Sequence, residues 1–399
     1  MIIEIIIAVI IGIGAGIFTG LSPGIHINLV SVLLLSLSPL LLQFTTPLIL
    51  ACFIISMSVT QTFIDPIPAT FLGAPESESA LGVLPGHRYL LKGMGYTAVK
   101  LTVIGSIGAM ILSIIMFPFL IPFVKHIYPI LQGYMGYILL GVVIFMILRE
   151  KKKMWAIIIF GLSGILGLIV MNYSFKDPLF PLFSGLYGIS TLLISLNENE
   201  KIPKQKDKQE LKLDTWQTTK ALLSGQFSGF ITAVFPGLGA ATAAVISMQI
   251  TRKLGDQGFM ILIGSISTVN FVLSLVAFYA IDKARNGSII AVQKLMPEIS
   301  IPIIIVYLCC GLIAGSISVY LCLKITRWFS TAITKVNYRA VVLGVIGLII
   351  ILVCVLTRWQ GLLILFVGTC IGLIPAIVKT SRTHAMGSLL LPVMCYFLL

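Results

Sequence analysis

Two proline-glycine pairs interrupt otherwise apolar segments and are the first candidates for chemistry. They are Pro23-Gly24 and Pro236-Gly237. Each break leaves backbone N–H groups without helical partners, and the helix that follows directs the positive end of its dipole at the gap. Irregular backbone inside a membrane is tolerated only where it is buried in protein or lines an aqueous cavity. We therefore predict a substrate site at the two breaks; the alternative is a structural kink packed by glycine and alanine. The predicted substrate-binding residues here are Ser22, Pro23, Gly24, His26, Asn28, Thr232, Pro236, Gly237, Gly239 and Thr242.

A group of acidic residues follows the apolar run that begins at Pro47. Asp65 comes directly after this run, and Glu76 and Glu78 lie further along. Three prolines within residues 66–75 lead us to expect no regular helix there. A carboxylate at membrane depth is costly, so it is by default a functional candidate. We predict that these three acids bind a coupling proton or cation; the alternative is an extramembrane loop with solvated acids.

The corresponding stretch of the second half of the chain supplies an amide and two cations, Asn270, Lys283 and Arg285. An arginine suits the bidentate recognition of a carboxylate or phosphate. We predict that Asn270 and Arg285 complete the substrate site; the alternative is that the cations lie at the membrane surface. The sequence contains no His/Cys cluster with metal-ligand spacing, no Walker loop and no dinucleotide fingerprint. We therefore predict no metal, no cofactor and no ATP-driven step.

The elements that position these residues must be membrane helices. Apolar residues make up 58% of the 399 residues and charged residues only 10%, whereas a soluble domain carries about 25% charged residues. Apolar stretches of about 20 residues recur along the chain, and each is long enough to cross a hydrocarbon core of roughly 30 Å. The sequence thus predicts a multi-pass protein of the cell membrane. The net charge of +13 is attributed to Lys and Arg in cytoplasmic loops and not to nucleic-acid binding.

The chain contains an internal repeat. The stretch 16–24 matches the stretch 229–237 at an offset of 213 (229 minus 16), and weaker matches follow in the same order. A lysine-rich polar linker at 197–214 divides the two copies, and the distribution of Lys and Arg places this linker in the cytoplasm. The same charge argument makes equivalent segments cross the membrane in opposite directions.

The predicted fold is therefore an all-α polytopic membrane protein made of two inverted-topology repeats, residues 1–196 and 215–399. Each repeat is expected to hold a re-entrant Pro-Gly hairpin, an interrupted crossing and four transmembrane helices. The total is about ten crossings, given that a crossing takes about 20 residues. Residues 98–123 and 130–148 are treated as two separate crossings in this count.

The motifs above resemble a known family. SPGIHINLVSVLLL at 22–35, DPIPATFLGAPESESALGVLPGHRYLLKG at 65–93 and FPGLGAATAAVI at 235–246 are similar to the large membrane subunit (TctA-type) of the tripartite tricarboxylate transporters, and most similar to a shorter, uncharacterised archaeal branch. The resemblance spans nearly the whole chain. It implies uptake of organic anions with a cation or proton gradient, with the two Pro-Gly hairpins forming the site. The Gly-, Ser- and Thr-rich stretch associated with carboxylate binding in full tripartite members is not found, which leaves a carboxylate substrate and a binding-protein partner open.

Three functional hypotheses follow. The first is a secondary-active transporter of an anionic substrate, with an organic carboxylate as the first candidate, coupled to an ion or proton and working by alternating access around the two hairpins. The second is a translocase (flippase) that recycles a polyprenyl-phosphate lipid carrier. The third, an intramembrane enzyme using Asp65 or Glu76, is disfavoured because equivalent hairpins facing both sides serve alternating access, so we do not predict an enzyme. Expected partners are the small anionic or lipid-phosphate substrate and membrane lipids, with a homo-oligomer left open.

Overall fold

The computed structural model describes residues 2–22, 27–72, 83–173, 178–197, 203–206, 213–234, 243–244, 247, 254–284, 286–332 and 338–399. These residues are overwhelmingly helical and form no β-strand, which confirms the all-α prediction for this part of the chain. The helices are α1 Ile2–Leu21, α2 Ile27–Leu41, α3 Pro47–Ile64, α4 Pro66–Phe71, α5 Val83–Leu91, α6 Gly95–Arg149, α7 Lys153–Asn172, α8 Leu179–Phe183, α9 Ser190–Asn197, α10 Thr215–Val234, α11 Gly255–Ile281, α12 Gly287–Leu295, α13 Ile301–Ala332, α14 Tyr338–Val378 and α15 Gly387–Leu398; a π-helical stretch, Ser184–Ile189, joins α8 to α9, and a 3-10 turn, Arg382–Met386, precedes α15.

Within the described ranges, seven helical segments are long and apolar enough to cross a membrane: α1, α3 with α4, α6, α7, α11, α13 and residues 342–378 of α14. Two of them form the centre of the bundle. In the most apolar 18-residue stretch of each segment, the share of buried residues is 72% for α3–α4 and 83% for α11. For the other five segments this share is 28–39%. The outer helices expose large apolar side chains such as Ile7 and Phe119, as a lipid-facing surface requires. The multi-pass prediction is confirmed.

Two helices, α6 and α14, are at least twice as long as the roughly 20 residues that a membrane crossing needs. Helix α6 has 55 residues without a non-helical residue, which at 1.5 Å per residue is about 82 Å. The division into crossings at 98–123 and 130–148 is therefore not seen; the backbone stays helical through Pro118, Pro122 and Pro129. Neighbouring helices and local backbone adjustments allow proline inside membrane helices. Helix α14, in contrast, is kinked at Arg358, where the dihedral angles are φ 58° and ψ −160°.

The structure also corrects the expectation that prolines prevent a helix after Asp65. Helix α4 runs from Pro66 to Phe71, and Asp65 itself has helical dihedral angles. The reason is position: both prolines of this helix, Pro66 and Pro68, lie in its first turn, where backbone N–H groups have no intrahelical acceptor and their loss costs little.

The first helix of each half packs closely on the central helix of the same half. A Cβ at Gly16 of α1 would lie 2.5 Å from the carbonyl oxygen of Met57 in α3, so the two backbones touch through this glycine. A Cβ at Gly229 of α10 would clash with the Val269 side chain of α11, so this glycine also lies directly against its central helix. The two glycines are 213 residues apart (229 minus 16), which is the offset found in the sequence repeat.

Each central helix also packs on a helix of the other half. On α3, Thr60 accepts a 3.0 Å hydrogen bond from Ser318 of α13. On α11, the backbone oxygen of Gly264 accepts a 2.9 Å hydrogen bond from Ser106 of α6. The order α1–α3–α13 is thus repeated as α10–α11–α6. A duplication predicts such a pattern, while the inverted orientation of the halves and the domain boundaries stay predictions.

Candidate substrate and coupling site

The glycine contacts fix which residues of α3 and α11 are equivalent. Gly12 and Gly225 lie against Ser56 and Ser265 respectively, and these serines differ by 209 (265 minus 56). Gly16 and Gly229 lie against Thr60 and Val269, which gives 209 again (269 minus 60). The same offset pairs Gln61 with Asn270 and Asp65 with Ser274. Both central segments therefore carry an amide side chain at one equivalent position, Gln61 and Asn270. Four residues further on, the carboxylate of Asp65 corresponds to the hydroxyl of Ser274.

Asp65 lies at the junction of α3 and α4 and is only 7% exposed. Its backbone N–H donates to the carbonyl of Gln61 at 2.9 Å, and its carbonyl accepts from Ala69 at 3.4 Å. Next to it, a Cβ at Gly20 near the end of α1 would be 3.4 Å from the Asp65 nitrogen. Asp65 is thus close to the end of α1, the helix that precedes the first Pro-Gly pair in the sequence. Its burial excludes a solvated loop, and its role in coupling stays a prediction.

Three other predicted site residues are described. Asn270 lies on α11, where a Cβ at Gly229 would be 3.3 Å from its nitrogen. Thr232, near the end of α10, is 9% exposed and donates to the carbonyl of Gly229 at 2.8 Å. Ser22 follows α1 and donates to the carbonyl of Phe18 at 2.8 Å. The hydroxyls of Thr232 and Ser22 therefore donate hydrogen bonds to backbone carbonyls near the ends of α10 and α1, the helices that precede the two Pro-Gly pairs.

The remaining predicted site residues lie outside the part of the chain that the structure describes. Asn28 belongs to α2, but its side chain is outside the described residues. Also outside them are Pro23, Gly24, His26, Glu76, Glu78, Pro236, Gly237, Gly239, Thr242 and Arg285.

A polar bridge that the sequence analysis missed joins the start of α12 to α3. The hydroxyls of Ser58 and Ser288 are 2.9 Å apart, and Ser288 also donates to the Asn286 side chain at 2.6 Å. All three residues are buried. This bridge holds the segment after Lys283 against the helix that carries Asp65. The partners are 230 residues apart in sequence, so no local pattern could have revealed it.

Lys283 lines an open cavity of about 790 Å³ among α6, α7, α12 and α15. Its ammonium lies 5.0 Å from the centre of the Tyr128 ring and 3.5 Å from the Gln132 side-chain oxygen. Gln293 binds the neighbouring Asp282 carboxylate at 2.9 Å. The sequence left open whether Lys283 lies at the surface or faces a cavity. In the structure it is exposed and lines an open cavity.

A second polar cluster lies outside the long apolar helices, in the segments that directly follow α6 and α14. His384 is 2% exposed, and its Nε2 is 3.2 Å from a carboxylate oxygen of Glu150. The N–H groups of Ser381 and Lys151 donate to the same carboxylate at 3.2 and 3.0 Å. Burial lowers the pKa of His384, opposed by Glu150. Burial acts to raise the pKa of Glu150, but the hydrogen bonds outweigh it and hold that pKa below its usual value.

The bundle of long apolar helices, lipid-facing on its outside and polar along its two most buried members, defines a multi-pass integral membrane protein. The comparisons identify its family. The model of the tripartite tricarboxylate transporter TctA family matches residues 6–387, so the chain belongs to this family of membrane transport proteins. It is also 30% identical over 364 residues to the uncharacterized protein MJ1079 of Methanocaldococcus jannaschii, which covers 87% of this chain and 88% of that protein. No solved structure matches the chain. The predicted resemblance, including the archaeal branch, is confirmed.

Proposed function

We propose that this protein is a secondary-active transporter of a small organic anion, coupled to a cation or proton through Asp65. The observation that carries the proposal is the repeated packing α1–α3–α13 and α10–α11–α6. It supports two equivalent central helices, each held against a helix that leads to a Pro-Gly break. Alternating access follows from such paired elements, because one of them can open to each side of the membrane in turn.

In this proposal the substrate binds between the two breaks. The free N–H groups of the breaks and Arg285 bind its negative charge, and Asn270 with its counterpart Gln61 supplies neutral hydrogen bonds from the two central helices. Asp65 carries the coupling ion one turn from Gln61. The buried Ser58–Ser288 bridge supports the approach of the second half's cationic segment to this region.

The test is flux into liposomes that contain only the purified chain. Uptake of a labelled di- or tricarboxylate, driven by an imposed ion or proton gradient, is the expected result. Asp65→Asn should abolish gradient-driven uptake while leaving exchange of internal for external anion, because exchange needs no net ion movement. Ser274→Ala, at the equivalent position of the other half, is the matched control. Uptake by the chain alone would also establish that a binding-protein partner is dispensable; absence of both uptake and exchange would refute the proposal.

A second candidate is the translocase of a polyprenyl-phosphate carrier. The cavity lined by Lys283 favours it, because its other walls include the apolar Leu168, Met171 and Val393 next to the lipid-facing surface. Such a cavity fits a phosphate headgroup on an apolar chain. Thermal stabilisation of the purified protein distinguishes the two candidates. Stabilisation by polyprenyl phosphate and by no carboxylate of the panel would replace the first proposal with the second.

An enzymatic role is the third candidate, and membership of a transport family argues against it. The discriminating observation is chemical: conversion of a candidate substrate by protein in detergent, where no transport is possible, lost in Asp65→Asn.

A further inference from the structure

The open cavity at Lys283 is lined by two kinds of side chain. Lys283 and Asp282 give it one positive and one negative charge, and Leu168, Met171 and Val393 give it apolar surface. Its volume of about 790 Å³ lies in the range of ligand sites, about 300–1,000 Å³. A ligand that matches this lining has a charged part and an apolar part.

The cavity lies at the ends of two membrane-spanning helices. Helix α11 ends at Ile281, directly before Asp282, and α7 ends at Asn172, which lines the cavity. Tyr128 and Tyr396 also line it, and tyrosine is enriched at the interface between membrane and water because its ring is apolar and its hydroxyl is polar. This placement puts the cavity at the depth of lipid headgroups. Pockets with basic residues between membrane helices bind phosphate headgroups in other proteins.

Each charge of the cavity is held in place by neutral side chains. The Lys283 ammonium lies 3.5 Å from the side-chain oxygen of Gln132 and 5.0 Å from the centre of the Tyr128 ring. Gln293 donates to both the carboxylate and the backbone carbonyl of Asp282, at 2.9 and 3.0 Å. Within the described part of the chain, neither Lys283 nor Asp282 forms an ion pair. Both residues are exposed, so both charges are available to a ligand.

The neighbouring opposite charges select the headgroup. A phosphate binds the ammonium of Lys283, and an ammonium group binds the carboxylate of Asp282. A headgroup with only negative charge, such as that of phosphatidylglycerol or a polyprenyl phosphate, brings its phosphate next to the Asp282 carboxylate, and like charges at close range repel each other. A zwitterionic headgroup, in which a short linker joins phosphate to ammonium, satisfies both residues.

We propose that this cavity binds a phospholipid with a zwitterionic headgroup, whose phosphate lies at Lys283, whose ammonium group lies at Asp282 and whose hydrocarbon chain packs on the apolar lining. The lining residues come from α6 and α7 of the first half and from α12, α15 and the α11–α12 connection of the second half. The bound lipid therefore links the two halves and stabilises the folded protein. The site does not depend on what the protein transports.

The experiment titrates the delipidated full chain in detergent with lipids of identical acyl chains and measures the thermal unfolding midpoint. Phosphatidylethanolamine is the zwitterionic probe and phosphatidylglycerol the anionic one. We expect a saturable rise of the midpoint with phosphatidylethanolamine, because a ligand that binds only the folded state stabilises it, and half-saturation at a lower concentration than with phosphatidylglycerol. Soluble phosphoethanolamine, the headgroup without chains, should give no rise at the same concentration.

Two charge variants test the assignment of each residue, and both positions are exposed, so the variants are expected to fold. Lys283→Met should raise the half-saturation concentration of both lipids by up to about fivefold, the equivalent of about 1 kcal/mol for an exposed charge contact. Asp282→Asn should raise it for phosphatidylethanolamine and lower it for phosphatidylglycerol, because the repulsion of the anionic headgroup is lost. A general loss of stability does not produce this opposite change. Lys324→Met removes an exposed lysine of α13 outside the cavity and is the matched control, with both titrations unchanged.

Four results would overturn the proposal. Equal half-saturation for the two lipids in the wild type and in Asp282→Asn refutes the zwitterionic headgroup. A larger rise with polyprenyl phosphate than with phosphatidylethanolamine refutes it as well and favours the translocase. An unchanged titration in Lys283→Met refutes the cavity as the site. A rise with phosphoethanolamine equal to that with the lipid refutes the lipid as the occupant.

Discussion

The contact between α1 and α3 makes a quantitative prediction through two glycines on the same helix. Gly14 is exposed and a Cβ there meets nothing within 4 Å, whereas a Cβ at Gly16 would lie 2.5 Å from Met57 O and 2.6 Å from the Thr60 Cβ. Ordinary contact begins at 3.4 Å, so α1 must move away by about 0.9 Å (3.4 minus 2.5), and the opposing atoms are not flexible side-chain ends. Overpacking of this kind costs about 1–3 kcal/mol.

The intrinsic helix preference acts in the opposite direction. Alanine is favoured over glycine in a helix by about 1 kcal/mol, and this gain applies at both positions. Gly14→Ala should therefore stabilise the protein by up to about 1 kcal/mol. Gly16→Ala should change the free energy of unfolding by between about zero and 2 kcal/mol of destabilisation. The difference between the two variants, about 1–3 kcal/mol, is the quantity to test because the intrinsic term cancels.

The assay is equilibrium unfolding in mixed micelles with increasing SDS, followed by tryptophan fluorescence. Gly229→Ala is included because Gly229 meets Val269 and Asn270 as Gly16 meets Thr60, and it should be destabilised to a similar extent as Gly16→Ala. If Gly14→Ala and Gly16→Ala have equal free energies of unfolding, the close packing of α1 on α3 is refuted. If only Gly229→Ala departs from expectation, the equivalence of the two halves is refuted and the α1 contact stands.

Three further predictions concern polar contacts. The pKa values of His384 and Glu150 are lower in the folded protein than their ordinary 6.5 and 4.5, so the protein loses stability as the pH falls, below about pH 6.5 through His384 and below about pH 4.5 through Glu150. Glu150→Ala should lower stability at pH 7 by about 1–3 kcal/mol and steepen the loss between about pH 6.5 and 5, because the pKa of His384 falls further without Glu150; unfolding midpoints across pH would reveal both effects. Ser113 and Gln226 form a buried pair at 2.8–3.0 Å, so Ser113→Ala should cost about 1–3 kcal/mol and the added Gln226→Leu should recover part of it in a double-mutant cycle. Lys283→Met should weaken binding of an anionic ligand in the adjacent cavity by up to about fivefold and leave the unfolding midpoint nearly unchanged, since exposed charge contacts are worth about 1 kcal/mol or less; an unaltered affinity would exclude the cavity as an anion site.

The class of the fold and the correspondence between α1 and α10 could be predicted from the sequence. Apolar runs of bilayer length predict the helices because lipid cannot hydrogen-bond to the backbone, and the 213-residue offset between Gly16 and Gly229 recurs in the packing. Asp65 could be singled out because a carboxylate beside an apolar run is rare, and the structure buries it.

Other features could not be predicted, because they depend on contacts between distant segments. Prolines were expected to end the helix at Asp65, but their effect depends on position within a turn, and in the first turn they are tolerated. Three further prolines, Pro118, Pro122 and Pro129, lie inside α6 and do not interrupt that helix. His384, which sequence gave no reason to single out, is buried against Glu150 across 234 residues. Only the folded chain brings such partners together.

The uninterrupted α6 joins two distant helix contacts through one continuous backbone. It crosses α11 near Gly105, where Ser265 donates to the Gly105 carbonyl, and its other end reaches α15, where Gly136 lies against Leu398. The end at Arg149 is 44 residues (149 minus 105) from the crossing, or about 66 Å. A rotation of about 5° at the crossing displaces that end by roughly 6 Å if the helix is rigid, and bending at its prolines reduces the displacement. The three prolines between the two contacts would therefore determine how far any movement of the central helix α11 displaces the end of α6.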